Sequence, residues 1–169
     1  MKLVSAPILV ALVFSAPSSA KSPKPTELRF ANVPWHLTLS LGDMKPTEGF
    51  PSRPDRDVFT YGDGKGTILS VIVENAHAPA TLASCRDVFA RRKAGMQPAN
   101  EVQGQRGDAA TQEYDLKVEF QGEAIVQHNV FSCRVRGTYY VDTHASKIRY
   151  QAGDRDALMA LIDGVTIVE

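Results

Sequence analysis

The sequence predicts a single α+β domain in which two helices pack on a mainly antiparallel β-sheet. Three observations support this fold class: segments that alternate apolar and polar residues, two segments with helical apolar spacing, and short glycine-containing turns between consecutive strands. The chain has 169 residues, and residues 33–169 are assigned to this domain. A domain of this size buries roughly two thirds of its unfolded surface, so it can fold without a metal or dense cross-linking.

Three strands are predicted before the first helix. Val33–Leu41 alternates strictly, which indicates a half-buried strand, and residues 42–56 are rich in proline and glycine and predict an irregular loop. Asp57–Tyr61 forms the second strand, and the glycine-rich residues 62–66 form a turn. Thr67–Glu74 is apolar on both faces, which places it in the middle of a covered sheet.

Two helices are predicted. Thr81 is the expected N-cap of the first, Leu82–Lys93, and residues 99–108 after it read as a polar loop. The second helix begins with Asp154 as its N-cap and ends at Gly164.

The remaining strands form hairpins. Tyr114–Phe120 and Ile125–Val135 are predicted to pair, a third strand follows residue 138, and Val165–Val168 returns as a short edge strand. The apolar pattern favours a three-residue turn at residues 136–138, because a two-residue turn would place Asp142 on the same face as the apolar residue Cys133. The longer turn predicts these cross-strand pairs: Val135 with Tyr139, Cys133 with Val141, and Phe131 with Thr143.

The N-terminal twenty residues predict export. Lys2 is followed by the apolar run Pro7–Phe14 and by small residues ending at Ala20, where a signal peptidase would cleave. The run is too short to span a bilayer of ~30 Å, so no membrane span is expected. We therefore expect a periplasmic or secreted protein that starts at Lys21, with residues 21–32 as a polar, proline-rich leader.

The charge balance excludes two classes of function. Without residues 1–20 the chain has 19 acidic residues and, once Lys2 is removed, 18 basic ones. A nucleic-acid-binding protein normally carries a basic surplus, and so does a protein held on an anionic membrane by bulk charge. Neither nucleic acid nor a membrane surface is an expected partner.

The two cysteines are predicted to form a disulfide. Cys85 lies on the apolar stripe of the first predicted helix, and Cys133 lies on the core face of a predicted strand. An exported protein is in an oxidising compartment, and closing a 48-residue segment stabilises a fold by roughly 4 kcal/mol in the chain-entropy view. The alternative is a pair of buried, unpaired thiols that act as small apolar residues.

No catalytic, metal-binding or cofactor-binding motif is recognised. Residues 62–67 resemble a phosphate loop, but a strand follows them rather than a helix. The four histidines have no metal-site spacing, and we interpret them as solvated surface residues. We place His36 and His128 at solvent-facing strand positions, and His128 and His144 are the one pair whose predicted strands could bring them together. The fourth histidine is His77.

One surface patch is a candidate interaction site. It combines basic and aromatic side chains on the outer face of the last hairpin: Arg134, Tyr140, Lys147 and Arg149. The alternative is a solvated face whose charges prevent edge pairing.

The order of elements resembles the PsbP/Mog1-like α/β proteins. The likeness rests on the strand Gly66–Glu74, the helix after it, the run of hairpin strands and the terminal helix, and it covers nearly the whole mature chain. It implies a sheet flanked by helices and a small non-enzymatic protein that binds a partner or assists the assembly of a larger complex. It implies no functional residue, and the loop at 42–56 and the inferred disulfide depart from the family pattern.

Three classes of function remain open. The first is a non-catalytic module, with no cofactor, that binds another envelope or secreted protein, including an immunity-type protein that blocks an exported toxin. The second is a carrier of a small ligand in a pocket between sheet and helix. The third is an enzyme with a non-local site formed by His128, His144 and Asp142. We expect the binding module, because export, small size and neutral charge occur here without a catalytic motif.

Overall fold

Ten strands form two antiparallel sheets in the part of the chain that the computed structural model describes, residues 24–31, 33–49 and 51–169. The small sheet has the order β1-β2-β10, with bounds Thr26–Arg29, His36–Leu39 and Val165–Val168. The large sheet has the order β3-β4-β5-β9-β8-β7-β6, with bounds Lys45–Pro46, Arg56–Gly62, Thr67–Asn75, Tyr139–Ile148, Glu123–Arg136, Ala109–Phe120 and Ala99–Arg106. The predicted export signal lies outside the described residues.

The two helices pack on opposite faces of the large sheet. Helix α1, Leu82–Arg92, contacts β7 and β8, and we call this side the α1 face. Helix α2, Arg155–Asp163, follows the short 3₁₀ turn Ala152–Asp154 and contacts β8 and β9. The small sheet covers the same side as α2, and together they bury the larger apolar core. The molecule is therefore the single α+β domain with two helices that the sequence predicted.

Several local predictions agree with the structure. The Thr81 side chain accepts a hydrogen bond from the Ser84 amide at 3.1 Å and so caps α1. Gln121 and Gly122 both have positive φ and form the turn between β7 and β8. In the turn at residues 62–66, the Asp63 carboxylate accepts hydrogen bonds from two backbone amides.

The turn between β8 and β9 corrects the predicted register. Two residues form it rather than three, Val135 is opposite Tyr140, and Gly137 has the φ of 60° that such a turn suits. Cys133 is therefore opposite Asp142, and the carboxylate lies on the α1 face. The predicted register was wrong because it assumed that an acidic residue would not lie in the protein interior. Arg92 of α1 gives the buried Asp142 a counter-ion.

Two segments predicted as irregular are strands. Residues 99–106 form edge strand β6, whose mostly polar and exposed side chains on both sides hide the alternation of a half-buried strand. Thr26–Arg29, inside the predicted leader, pairs with β2, because Leu28 packs into the core.

The start of α2 also differs from the prediction. Asp154 makes no side-chain cap bond within α2, and its carboxylate instead accepts from the Gln151 amide at 2.9 Å. The 3₁₀ turn leads directly into α2, and the Asp154 carboxylate stabilises this turn instead of capping the helix.

No helix in the described part of the chain has the length and apolar character needed to cross a membrane.

Candidate functional site

An open groove of about 800 Å³ lies on the α1 face of the large sheet. Its floor is formed by β4, β5, β9, β8 and β7, and one wall is formed by Val88 of α1 and by Met96 in the turn after this helix. The opposite wall is the loop before β4. At Gly49 of this loop a Cβ would lie 2.0 Å from the Thr60 hydroxyl oxygen, so only glycine allows the loop to approach the floor this closely. The groove exists because α1 covers only part of this face, while the other face is covered by α2 and the small sheet.

A disulfide fixes the α1 wall to the sheet. Cys85 and Cys133 are bonded, with their Cα atoms 5.8 Å apart, and both are fully buried. Around the bridge, Val88 and Phe89 of α1 pack against Phe131 of β8. The wall is therefore held by one covalent bond and by the apolar stripe of the helix.

A buried ion pair makes a second connection between α1 and the sheet. Arg92 Nε donates to Asp142 Oδ2 at 2.6 Å, and Arg92 Nη2 reaches Glu74 Oε2 at 3.3 Å. Asp142 has no exposed side-chain surface, and its Oδ1 has no hydrogen-bond partner among the described residues. Burial raises the pKa of Asp142 to about 6, although Arg92 acts against this rise. The carboxylate thus depends on Arg92 for its charge at neutral pH.

Polar side chains form a row across the middle of the groove floor. Thr60, Ser70 and His144 occupy directly opposed positions on β4, β5 and β9. His144 stacks on Phe131, with ring centroids 4.0 Å apart, and its Nε2 lies 3.0 Å from the amide oxygen of Asn129. Burial, assisted by the charge of Arg92, lowers the pKa of His144 to about 3. This imidazole is therefore neutral at physiological pH and donates from Nε2.

The groove ends in apolar and basic side chains. Val58, Ile72 and Ile68 supply carbon surface on β4 and β5. Arg56 and Arg91 lie at the end where Arg92 binds Glu74, and neither forms an ion pair within the described residues. The floor therefore has a basic end, the apolar pair Val58 and Ile72 beside it, the polar row in the middle, and Ile68 at the far end.

A second polar cluster lies on the opposite face of the sheet. His128 is buried, its Nδ1 lies 2.7 Å from Asp115 Oδ1, and its ring stacks on Tyr150 with centroids 4.1 Å apart. Arg155 of α2 binds Glu113 through two hydrogen bonds beside it. This corrects the predicted solvent-facing position of His128, because α2 and the segment before it cover that face.

The structure separates the other residues that the sequence singled out. His144 is opposite Phe131, and His128 is opposite Lys147, so the two histidines are not cross-strand neighbours. His128 also lies on the other face from His144 and Asp142, so the non-local catalytic arrangement does not form. Within residues 24–31, 33–49 and 51–169, no group of three His, Cys, Asp or Glu residues is placed to hold a metal.

The four predicted patch residues do not form one surface. Tyr140 is buried on the α1 face, whereas Arg134 and Lys147 point to the other face. Arg134 donates to the Val165 carbonyl oxygen at 3.0 Å and pairs with Asp108. Two further ion pairs hold the rest of the set: Lys147 with Asp154 and Arg149 with Glu123.

Sequence reasoning missed the residues that shape the groove. Arg91 and Arg92 were interpreted as solvent-exposed charges, Arg56 was only part of the predicted irregular loop 42–56, and Asp142 was predicted to face the solvent. One signal was available: Arg92 lies seven residues after Cys85 on the same helix, so it lies two turns along the stripe that faces the sheet.

Comparisons with known proteins identify the fold. No protein-family model and no curated protein matches the chain. The solution structure of cyanobacterial PsbP (CyanoP) from Synechocystis is similar, with a TM-score of 0.54 and 10% identity over 93% of this chain and 99% of that one. The fold is PsbP-like. The resemblance predicted from element order is thereby confirmed for the fold.

A second solved structure is less similar. LpqN, involved in cell envelope biogenesis of Mycobacterium tuberculosis, has a TM-score of 0.41 and 12% identity over 86% of this chain and 91% of that one. At these identities a likeness concerns the fold alone, and function is argued from the groove.

Proposed function

We propose that this chain is an exported, non-catalytic binding protein whose ligand lies in the groove on the α1 face. The observation that carries the proposal is the groove itself, because a concave site of about 800 Å³ that combines apolar surface with several polar groups has the size and character of small-ligand sites. This favours the ligand carrier among the functions that the sequence left open.

The state of the polar groups supports binding rather than catalysis. His144 is neutral and donates to Asn129, and Asp142 is bound to Arg92 beneath the wall. A general base would need a proton-accepting atom within hydrogen-bond reach of a substrate and a pKa near the working pH. The neutral imidazole of His144, with a pKa near 3, is poorly suited to that role.

The groove is tested with Nile red, a neutral apolar dye, on the folded protein. Met96 and Val102 are both exposed apolar residues, at 46% and 61%, but only Met96 lines the groove. Met96→Glu puts a charge into the apolar wall and is expected to weaken dye binding at least fivefold in a fluorescence titration. Val102→Glu is the matched control and should leave the affinity unchanged. Equal effects of the two variants, or no saturable binding, would exclude the groove as the site.

Export is tested separately by the mass of the protein recovered outside the cytoplasm. The sequence predicts a chain that begins at Lys21. A mass that retains residues 1–20 would overturn the cleavage proposal, and it would leave the groove proposal unaffected.

A protein partner is a second candidate function, favoured by the end of the β7–β8 hairpin. Phe120 and Val126 lie near this end, on opposite faces of the hairpin, and are exposed at 37% and 44%. A partner that contacts both faces of the hairpin end would cover both apolar side chains. A photo-crosslinking residue at position 120 should capture one stoichiometric envelope protein that the same group at position 102 does not. Identical products from both positions would contradict this role.

A further inference from the structure

One end of the groove has guanidinium groups without acidic partners. Arg56 forms no ion pair within the described chain, and its Nε is buried without a hydrogen-bond partner. Glu74 lies directly opposite Arg56 on β5, but its carboxylate binds Arg92. Arg91 lines the same groove from α1 and also forms no ion pair among the described residues. Glu48, an exposed acid on the facing loop, is likewise unpaired there.

A buried donor of this kind implies an acceptor. Most buried polar groups in native proteins are hydrogen-bonded, so the Nε of Arg56 requires an explanation. A guanidinium presents its donors as a planar fork that matches the two oxygens of a carboxylate or phosphate. Arg91 lines the same groove and adds attraction for an anion, and Glu48 opposes it; both side chains are exposed, so solvent and salt weaken both contributions and Arg56 is the main determinant.

Apolar surface lies along the strands from this basic end and is interrupted once. Val58 and Ile72 are directly opposed on β4 and β5, the polar row of Thr60, Ser70 and His144 comes next, and Ile68 follows towards the far end of the groove. Glu74 and Ile68 are six residues apart on β5, and at ~3.3 Å per residue this gives a path of roughly 20 Å. The path suits an elongated molecule with one charged end.

We propose that the groove binds an amphipathic monoanion, with its anionic head at Arg56 and Arg91 and its apolar body along Val58, Ile72 and Ile68. The inference rests on the proposed function and adds the chemical class and the orientation of the ligand. The volume of about 800 Å³ favours a small molecule over a segment of a protein partner, whose interface would extend beyond the groove.

The head-group assignment is tested with a matched pair of fluorescent probes, dansylaminoundecanoate and its methyl ester. The two share the apolar body and differ in the negative charge. At pH 8 and low salt, the carboxylate should bind the wild-type protein at least tenfold more tightly than the ester. Arg56→Gln should reduce this preference to less than threefold. The matched control is Arg86→Gln, an exposed α1 arginine outside the groove, which should keep the full preference.

The outcomes separate the inference from the proposed function. Equal binding of acid and ester, or a full preference in Arg56→Gln, would overturn the head-group assignment and leave the groove as a ligand site. Binding of neither probe would count against the groove itself. Should Arg56→Gln fail to fold, Arg91→Gln replaces it, because Arg91 is exposed and forms no ion pair among the described residues. It should lower the preference at least threefold, and an unchanged preference would again overturn the assignment.

Discussion

Replacing Arg92 with methionine is expected to lower the free energy of unfolding by roughly 1.5 kcal/mol at pH 7 and by roughly 3 kcal/mol at pH 8, because a carboxyl group with a pKa near 6 takes up a proton rather than remain as an isolated charge. Methionine keeps most of the apolar stem of arginine and removes its charge, so Asp142 remains buried without a counter-ion. Urea denaturation followed by circular dichroism measures the change. Arg91→Met is the matched control on the adjacent, exposed position and should change stability by less than about 0.5 kcal/mol.

The pH dependence of this effect follows from the raised pKa of Asp142. Its pKa of about 6 in the folded protein lies above the ordinary 3.8, so the folded state binds the proton more tightly than the unfolded state. In the wild type, burial of Asp142 does not lower the free energy of unfolding below about pH 4, where the carboxyl group is protonated in both states. The loss grows to roughly 3 kcal/mol as the pH rises through 6 and the buried group ionises. Arg92→Met raises the pKa of Asp142 further, so its destabilisation should be small at pH 5 and should grow towards pH 8.

A double variant tests whether the carboxylate causes the loss. Adding Asp142→Asn to Arg92→Met removes the isolated charge and should recover a large part of the lost stability at pH 8. A destabilisation by Arg92→Met that is the same at pH 5 and pH 8, with no recovery in the double variant, would contradict the buried ion pair.

Removing the disulfide is expected to cost roughly 4 kcal/mol of stability, through the double substitution Cys85→Ala and Cys133→Ala. The bridge closes a segment with a sequence separation of 48, and its loss frees the unfolded chain. Differential scanning calorimetry should show a fall in Tm on the order of 10 °C. Since the bridge fixes the α1 wall, dye affinity in the groove should also fall.

Chemical reduction provides the control for this prediction. The reductant should lower the Tm of the wild type to that of the double variant and leave the double variant unchanged, which separates the bond from the loss of the two sulfur atoms. A reductant-insensitive Tm in the wild type would contradict a bridge that stabilises the fold.

Local sequence patterns predicted most of the framework. Thr81 caps α1 because its hydroxyl satisfies a free amide, and this signal lies within four residues. Thr67–Glu74 was placed centrally because both faces are apolar, and β5 does lie between β4 and β9. The helices and hairpins depend on periodicity and turn residues, which are present in short stretches of sequence.

The register of β9 was not predictable from such patterns. Asp142 is buried because Arg92, fifty residues earlier in the chain, reaches it across the helix–sheet interface. Strand alternation contains no information on such a distant counter-ion. Asp142 was therefore predicted to face the solvent, and the turn between β8 and β9 was predicted to be one residue longer than it is. Strand β6 was missed for a related reason: its position at the sheet edge leaves both faces exposed.

The groove was not predictable because it depends on where a helix fails to cover a sheet. Ile68 and Ile72 were correctly predicted to lie on the same side of a central strand, and this side of the sheet was expected to be covered. The structure shows that α1 lies over β7 and β8 instead and leaves this side open between its wall and the loop at Gly49. Helix placement on a sheet is set by long-range packing rather than by the helix sequence alone.

The most direct test of the central claim, that the groove is the ligand site, is methyl NMR of the protein titrated with dansylaminoundecanoate. The account predicts saturable shifts at Ile68 and Ile72 in the groove, with little change at Val130 and Val141 on the opposite face. Shifts confined to the opposite face or to Val126 on the hairpin, or an absence of saturable shifts, would contradict it.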